Sequence, residues 1–173
     1  MGKFNFIQTK LAGLYIVEPL IRRDTRGYFM ESYNRADFYN AGLTIDFVQD
    51  NESCSTRGVL RGMHFQVNDP QGKLVRVTSG EVYDVAIDIR PESPTYKQWE
   101  GVYLSAENKL QFYIPPGFAH GFLVTSDIAT FCYKCSEFYR PDDEGSLKWN
   151  DPEVNIHWPI PEGMEIILSA KDK

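Results

Sequence analysis

The stretch EVYDVAIDIR (81–90) decides the fold, because its apolar and acidic side chains alternate with a period of two. The odd-numbered positions are apolar, with Tyr83, Val85, Ile87 and Ile89. The even-numbered positions carry the two aspartates, Asp84 and Asp88. Successive side chains of a β-strand point to opposite faces of its sheet. The pattern therefore predicts a strand with one buried face and one solvated face.

Segments rich in Val, Ile, Tyr, Phe and Thr recur on both sides of this strand and read as further strands. They cover residues 6–10, 14–19, 27–33, 47–53, 73–80, 100–105, 111–115, 121–126 and 129–139. One stretch differs: NRADFYNAGL (34–43) predicts a short helix with Gly42 near its C-terminal cap. The acidic cluster PDDEG (141–145) is expected to form a solvated turn. Many short strands with almost no helix are typical of a sandwich, barrel or jelly roll.

Length and composition predict one globular domain over residues 1–173, since 42% of the residues are hydrophobic and only 24% are charged. No apolar run reaches membrane-spanning length, and the N-terminal sequence MGKFNFIQTK has no apolar signal core. We therefore expect a cytoplasmic protein with no membrane association. The formal net charge of −6 argues against nucleic-acid binding, which requires a basic surface.

Two of the three histidines lie in motifs that suggest a site. His120 follows a proline and a glycine in IPPGFAHGF (114–122), and His64 lies in GVLRGMHFQ (58–66). Proteins of the cupin superfamily bring two such motifs to the mouth of one β-barrel, where the first motif normally reads H-x-H, followed by a glutamate, and binds a metal. Gln66 stands here in place of the second histidine, and zinc or iron prefers three protein ligands. The sequence therefore predicts no metal site, and on these motifs alone a structural role for the two histidines stays open as the lesser alternative.

Longer motifs follow one another along nearly the whole chain, from Phe6 to Asp172. They are DTRGYFMESYN (24–34), FVQDNES (47–53), RGVLRGMHFQ (57–66), PQGKLVRVTSGEVYDVAIDIR (70–90), PPGFAHGF (115–122), YKCSEFY (133–139), GSLKWNDP (145–152) and LSAKD (168–172). On these residues the sequence strongly resembles the dTDP-4-dehydrorhamnose 3,5-epimerase family. The resemblance implies an all-β, cupin-type double-stranded β-helix (jelly roll) with one or two short helices, assembled as a homodimer.

The resemblance also implies the reaction. Members of this family epimerise C3 and C5 of dTDP-4-dehydro-6-deoxy-D-glucose to dTDP-4-dehydro-L-rhamnose, in dTDP-L-rhamnose biosynthesis, without a cofactor. The protons at C3 and C5 are α to the C4 ketone, so their removal gives an enolate with its charge on O4. Inversion then needs a base, a group that stabilises the oxyanion, and an acid on the opposite face.

Four residues match the catalytic positions of the family. Histidine accepts a proton near neutral pH with little tuning, which suits His64 as the base. The resemblance pairs it with Asp172, which would fix the imidazole tautomer. It assigns Lys73 to the oxyanion and Tyr133 to the acid.

Arginines suit a diphosphate, because the guanidinium fork matches phosphate oxygens. The resemblance assigns this role to Arg26 and Arg61, and it places the thymine between the aromatic rings of Tyr28 and Phe138. The other positions that match the family's binding of the nucleotide sugar are Glu31, Gln49, Asn51, His120, Glu144 and Lys171. The family further implies that the segment Arg26–Glu31 reaches into the site of the partner subunit.

One geometric condition follows from strand periodicity. Arg61 and His64 are three residues apart, so in a regular strand their side chains point to opposite faces. Both can serve one site only if Gly62 allows a bulge or the strand begins after it.

Two alternatives stay open. The enzyme could invert one carbon only, or act on another nucleotide-linked 4-keto sugar. The chain could also be a non-catalytic sugar-binding jelly roll, although a binding module does not need His64, Lys73 and Tyr133 together.

Overall fold

The computed structural model describes residues 2–173, and their secondary structure is nearly all β. The strands are β1 (Phe4–Gln8), β2 (Tyr15–Pro19), β3 (Arg22–Asp24), β4 (Gly27–Phe29), β5 (Gln49–Thr56), β6 (Leu60–Gln66), β7 (Lys73–Ser79), β8 (Glu81–Asp88), β9 (Trp99–Ser105), β10 (Gln111–Ile114), β11 (Phe118–Val124), β12 (Ile128–Cys135) and β13 (Glu144–Ser146). The helices are α1 (Arg35–Asn40) and a 3-10 turn (Pro141–Asp143). Each predicted strand segment overlaps an observed strand, whereas β3, β6 and β13 lie outside the predicted segments.

Two antiparallel sheets enclose the core. The larger has the order β1-β2-β10-β7-β12-β5, and the smaller has the order β13-β6-β11-β8-β9. Side chains from both sheets meet in the main apolar cluster, where Phe112 and Phe131 of the larger sheet pack with Phe122 of the smaller. The hairpin β3–β4 belongs to neither sheet. The all-β prediction is confirmed.

Strand β8 is buried on both faces, so the prediction of one solvated face is wrong. Its apolar parity does not face the barrel interior; Val85 and Ile87 pack outside it, against Val154 and Ile156 near the C-terminus. The acidic parity faces inward, and Asp84 is completely buried there. A buried carboxylate requires hydrogen-bonding partners, and only the tertiary structure shows what they are.

The predicted helix is confirmed. The Asn34 side chain accepts hydrogen bonds from the backbone N–H groups of Ala36 and Asp37, which caps the helix N-terminus. The chain leaves the helix through Gly42, whose φ of +84° is a left-handed conformation that favours glycine.

The acidic cluster at 141–145 is more than a solvated turn. Asp143 is buried, and its carboxylate accepts hydrogen bonds from the backbone N–H groups of Asn68 and Asp69, at 2.9 Å each. This contact holds the 3-10 turn against the loop that follows β6, and β13 then pairs with β6. The cluster thereby fixes Glu144 beside the strand that carries His64.

None of the helices in the described part of the chain is long and apolar enough to cross a membrane.

Candidate active site

One cavity of about 520 Å³ is lined by residues of both sheets. It is lined by ten of the fourteen residues that the sequence predicted for the site: Gln49, Asn51, Arg61, His64, Lys73, His120, Tyr133, Glu144, Lys171 and Asp172. These residues come from six strands and the C-terminal segment, so the fold alone brings them together.

His64 and Asp172 form a hydrogen-bonded pair, with 2.5 Å between His64 Nε2 and Asp172 Oδ1. The carboxylate is fixed in turn, because its Oδ2 accepts a 2.8 Å hydrogen bond from the Ser169 hydroxyl, and its side chain is only 2% exposed. Burial lowers the pKa of His64 and outweighs the opposing effect of Asp172. The imidazole is therefore neutral at pH 7, and with Nε2–H directed to Asp172 its Nδ1 can accept a proton.

A β-bulge allows Arg61 and His64, which are three residues apart, to point to the same face of the sheet. In the pairing of β6 with β11, His64 lies opposite His120 but Arg61 lies opposite Phe122, so the register shifts by one residue between them. Gly62 lies in this bulge with a φ of +124°, which favours glycine. Both side chains consequently line the same cavity.

Gly62→Ala should be strongly destabilising, because a Cβ atom there would lie 2.5 Å from Gly121 Cα and 2.7 Å from the His120 carbonyl oxygen. We expect the free energy of unfolding to fall by about 2–4 kcal/mol, with loss of activity. Urea denaturation measures the change. Gly42→Ala is the matched control: φ is also positive, but no atom lies within 4 Å of the added Cβ. Equal losses in the two variants would show that the bulge is not tightly packed.

Lys73 and Tyr133 approach the cavity from the larger sheet, on β7 and β12, whereas His64 approaches from the smaller sheet. Burial lowers the pKa of the Lys73 ammonium and raises the pKa of the Tyr133 phenol. The phenol is therefore protonated at neutral pH and can act as an acid. Within residues 2–173, neither Lys73 Nζ nor the Tyr133 hydroxyl has a hydrogen-bond partner, so both are available to a ligand.

Polar side chains surround Glu144 where it lines the cavity. Lys171 Nζ lies 2.8 Å from one of its carboxylate oxygens, and the Tyr139 hydroxyl donates to the other at 3.3 Å. Burial alone would raise the pKa of Glu144, but Lys171 reverses that effect and holds it below its usual value. Glu144 is therefore ionised, 4.0 Å from Nδ1 of His64.

Phe138, the aromatic residue predicted to stack on the thymine, lies outside the cavity of this chain. Phe138 is 61% exposed and does not line the cavity, whereas its neighbour Tyr139 does. Tyr139 is fixed there because its backbone N–H donates to Oε1 of Gln49 at 3.0 Å. In the single chain Tyr139, rather than Phe138, offers a ring to the cavity.

Three further predicted residues also lie outside the cavity of this chain. Arg26 is exposed on the hairpin and forms an ion pair with Asp24, and Glu31 pairs with Lys3. Tyr28, on the same hairpin, is 52% exposed. In a single chain, these three side chains therefore lie apart from the ten predicted site residues that line the cavity.

Asp84 is a buried partner of His120, and the sequence reasoning missed it. Both of its carboxylate oxygens lie within hydrogen-bond distance of His120 Nε2, at 2.9 and 3.0 Å, and both residues are buried. Burial raises the pKa of Asp84, and His120 acts against this effect. The only sign of Asp84 in the sequence was its position among the alternating polar residues of β8. The alternation had predicted that this face of the strand is solvated.

Gln66 occupies the position at which a second histidine ligand would stand in a metal-binding cupin. Its side chain is buried and serves the fold: Nε2 donates to the backbone oxygens of Asp69 and Phe138, and Oε1 accepts from the Arg140 N–H. Among residues 2–173, no three His, Cys, Asp or Glu side chains are grouped as metal ligands.

An imidazole and a phenol that approach one cavity from different sheets match the needs of proton transfer on two faces of a carbon. Fold and site together define the class of cupin-type sugar epimerases. The sequence model of the dTDP-4-dehydrorhamnose 3,5-epimerase family matches residues 8–173, and the chain belongs to this family.

Individual relatives support this membership. The chain is 53% identical over 173 residues to dTDP-4-dehydrorhamnose 3,5-epimerase of Methanothermobacter thermautotrophicus, an alignment that covers all of this chain and 94% of that protein. It superposes on the dTDP-6-deoxy-D-glucose-3,5-epimerase of Legionella pneumophila in complex with dTDP-4-keto-L-rhamnose, with a TM-score of 0.94, 52% identity and coverage of 98% and 89% of the two chains. The Bacillus anthracis dTDP-4-dehydrorhamnose 3,5-epimerase with bound TDP and PPi gives a TM-score of 0.93, 43% identity and coverage of 98% and 96%. The predicted cupin-type jelly roll is confirmed.

Proposed function

We propose that this enzyme epimerises C3 and C5 of dTDP-4-dehydro-6-deoxy-D-glucose to give dTDP-4-dehydro-L-rhamnose, a step of dTDP-L-rhamnose biosynthesis. The names of the relatives support this reaction. The observation that carries the proposal is the position of His64 and Tyr133, which line one cavity from opposing sheets.

The proposed chemistry follows from these positions. His64 Nδ1 takes the proton from the carbon next to the ketone; the C–H electron pair forms a C=C bond to C4, and the π pair of the C4 carbonyl moves onto O4. The ammonium of Lys73 stabilises the oxyanion, an effect that is stronger in an enclosed site than in water. The Tyr133 hydroxyl then gives its proton to the opposite face of the carbon, which inverts it. His64 then loses its proton to solvent and Tyr133 regains one, after which the same sequence at the second α-carbon completes the reaction.

The diphosphate needs cationic partners. Arg61 lines the cavity and its Nε donates to the Ser55 hydroxyl at 3.2 Å, which leaves the rest of the guanidinium fork for phosphate oxygens. Gln49 and Asn51 are joined by a 3.1 Å side-chain hydrogen bond and offer amide groups to the nucleotide sugar. Tyr139 supplies an aromatic face.

We propose that two chains form a homodimer in which the β3–β4 hairpin of each chain completes the site of the other. The hairpin lies outside both sheets, and its Arg26 and Tyr28 are exposed in the single chain. These residues match family positions that bind the nucleotide sugar, so a partner would supply what one chain leaves outside its cavity.

The dimer is expected to sediment at about twice the 19.9 kDa chain mass. Arg26→Ala should raise KM about 10-fold or more, since a hydrogen bond to a charged group is lost, and leave the fold intact. Arg57→Ala is the matched control, because Arg57 is also exposed and paired with an aspartate, Asp127. A fully active 19.9 kDa species would contradict the exchange.

We also propose that residues 1–173 form one cupin domain. Strand β1 pairs within the larger sheet, and the C-terminal segment returns through a bridge between Val59 and Ile167 to place Asp172 in the cavity. We further propose a cytoplasmic location for the enzyme.

Proton NMR of the product formed from dTDP-4-dehydro-6-deoxy-D-glucose tests the function. Inversion at C3 and C5 together is the expected result. Inversion at one carbon would favour the narrower epimerase, and saturable binding without turnover would favour a binding module.

A further inference from the structure

The carboxylate of Asp172 has one side-chain partner on each of its oxygens in the described part of the chain. Oδ1 lies 2.5 Å from His64 Nε2, and Oδ2 accepts the 2.8 Å hydrogen bond from the Ser169 hydroxyl. Ser169 also lines the cavity. Three side chains are therefore linked in series, from Ser169 through Asp172 to His64. The proposed reaction uses the last two and assigns no role to Ser169.

A turn of the backbone places the Ser169 hydroxyl against this carboxylate. The Asp172 N–H donates to the Ser169 carbonyl oxygen at 3.2 Å, which closes a turn of four residues. The side-chain hydrogen bond joins the same two residues a second time. The orientation of the carboxylate is thus set within the turn itself.

The segment before this turn is anchored to the chain at the start of β6. The Ile167 N–H donates to the Gly58 carbonyl oxygen at 2.9 Å, and the Ile167 carbonyl oxygen accepts from the Leu60 N–H at 3.0 Å. Gly58 has a φ of +83°, and a Cβ atom there would lie 2.2 Å from the Glu165 carbonyl oxygen. The missing side chain at Gly58 therefore lets the C-terminal segment lie close to the barrel.

Side chains alone hold the segment beyond this anchor. After Ile167, no backbone hydrogen bond among residues 2–173 joins the C-terminal segment to either sheet. Lys171 binds Glu144, and Asp172 contacts His64. The position of the Asp172 carboxylate consequently depends on the few polar contacts that its own side chain makes.

We infer that Ser169 is a positioning residue for the proposed base: its hydroxyl holds the Asp172 carboxylate toward His64, which fixes the imidazole proton on Nε2 and leaves Nδ1 free to accept an α-proton. The inference rests on the proposed function and adds a residue to it. A buried carboxylate with an unpaired oxygen is unfavourable. Without the hydroxyl, Asp172 should turn toward water, and His64 Nε2 would lose its acceptor.

Ser169→Ala tests this role. We expect kcat to fall about 10-fold, the contribution that is typical of a hydrogen bond to a charged group. KM should stay unchanged, because the hydroxyl is engaged with Asp172 rather than free to bind the substrate. Ser169→Thr keeps a hydroxyl at this position and should retain most of the wild-type kcat. Steady-state kinetics with dTDP-4-dehydro-6-deoxy-D-glucose measure both constants.

Ser93→Ala is the matched control. The Ser93 hydroxyl also donates to a buried carboxylate, that of Asp88, but neither residue lines the cavity. The two alanine variants therefore lose the same kind of hydrogen bond in different places. We expect Ser93→Ala to lower the free energy of unfolding and to leave kcat at the wild-type value.

Imidazole ¹⁵N NMR tests the inference without any turnover. His64 of the wild-type protein should carry its proton on Nε2, whereas Ser169→Ala should show a mixture of the two neutral tautomers. The spectrum of His64→Asn identifies the His64 signals by their loss.

Wild-type kcat in Ser169→Ala, or an unmixed Nε2–H tautomer of His64 in that variant, would overturn the inference. A wild-type His64 that is protonated on Nδ1 alone would overturn it even if the variant does not fold. An inactive wild type would instead contradict the proposed function, and the tautomer measurement would still decide the role of Ser169.

Discussion

His64→Asn is expected to abolish deuterium wash-in and inversion at C3 and C5 together. The substitution removes the Nδ1 lone pair that takes every α-proton in the proposed reaction, so no enolate forms at either carbon. General acid–base groups contribute about 10²–10⁴-fold to rates, and the loss should be at least this large. Proton NMR of the nucleotide sugar in D₂O measures exchange and inversion in one experiment.

The matched control is His157→Asn, because His157 is exposed and does not line the cavity. We expect this variant to keep wild-type rates. If the His64 variant still exchanges both protons, the base lies elsewhere and the assignment of His64 is wrong. Binding of dTDP should survive in both variants, which separates loss of chemistry from loss of the fold.

Tyr133→Phe is expected to fail differently, since it leaves the base and the oxyanion site in place. The α-protons should still exchange with solvent deuterium through His64, while inversion falls by about 10²–10⁴-fold because no acid acts on the opposite face. We expect the loss to be most evident at C5. The ratio of exchange to inversion at each carbon, followed by NMR in D₂O, is the measurement.

Tyr113→Phe controls for the loss of a buried hydroxyl on the same sheet. Tyr113 lies on β10 in a separate apolar cluster, and burial raises its pKa to about 12. This variant should retain both exchange and inversion. If Tyr133→Phe loses exchange as completely as His64→Asn, the phenol is not a face-specific acid and its role is structural.

Local patterns predicted the parts of the fold that depend on local interactions. The helix after Asn34 carries its own capping side chain and its terminal Gly42, so its limits could be read from the sequence. The conflict between Arg61 and His64 likewise pointed to Gly62, where the bulge occurs.

Features that depend on tertiary contacts were missed. The burial of Asp84 depends on His120, which approaches from the neighbouring strand, and the C-terminal segment covers the opposite face of β8. Asp143 is buried because the loop after β6 presents two N–H groups to it. The pattern of polar and apolar residues around Asp84 and Asp143 does not indicate which groups bind these two carboxylates.

The choice between Phe138 and Tyr139 could not be made from periodicity either. Strand β12 ends at Cys135, so the alternation of faces stops before both residues. The ring that enters the cavity is instead selected by the Tyr139 N–H, which donates to Gln49 on β5.

The most direct test of the central claim is the conversion of dTDP-4-dehydro-6-deoxy-D-glucose by the wild-type protein in D₂O, followed by NMR until the reaction is complete. If His64 and Tyr133 act on opposite faces of one bound sugar, the product carries deuterium at both C3 and C5, and both carbons are inverted. Inverted product without solvent deuterium, or deuterium without inversion at either carbon, would contradict the two-faced site.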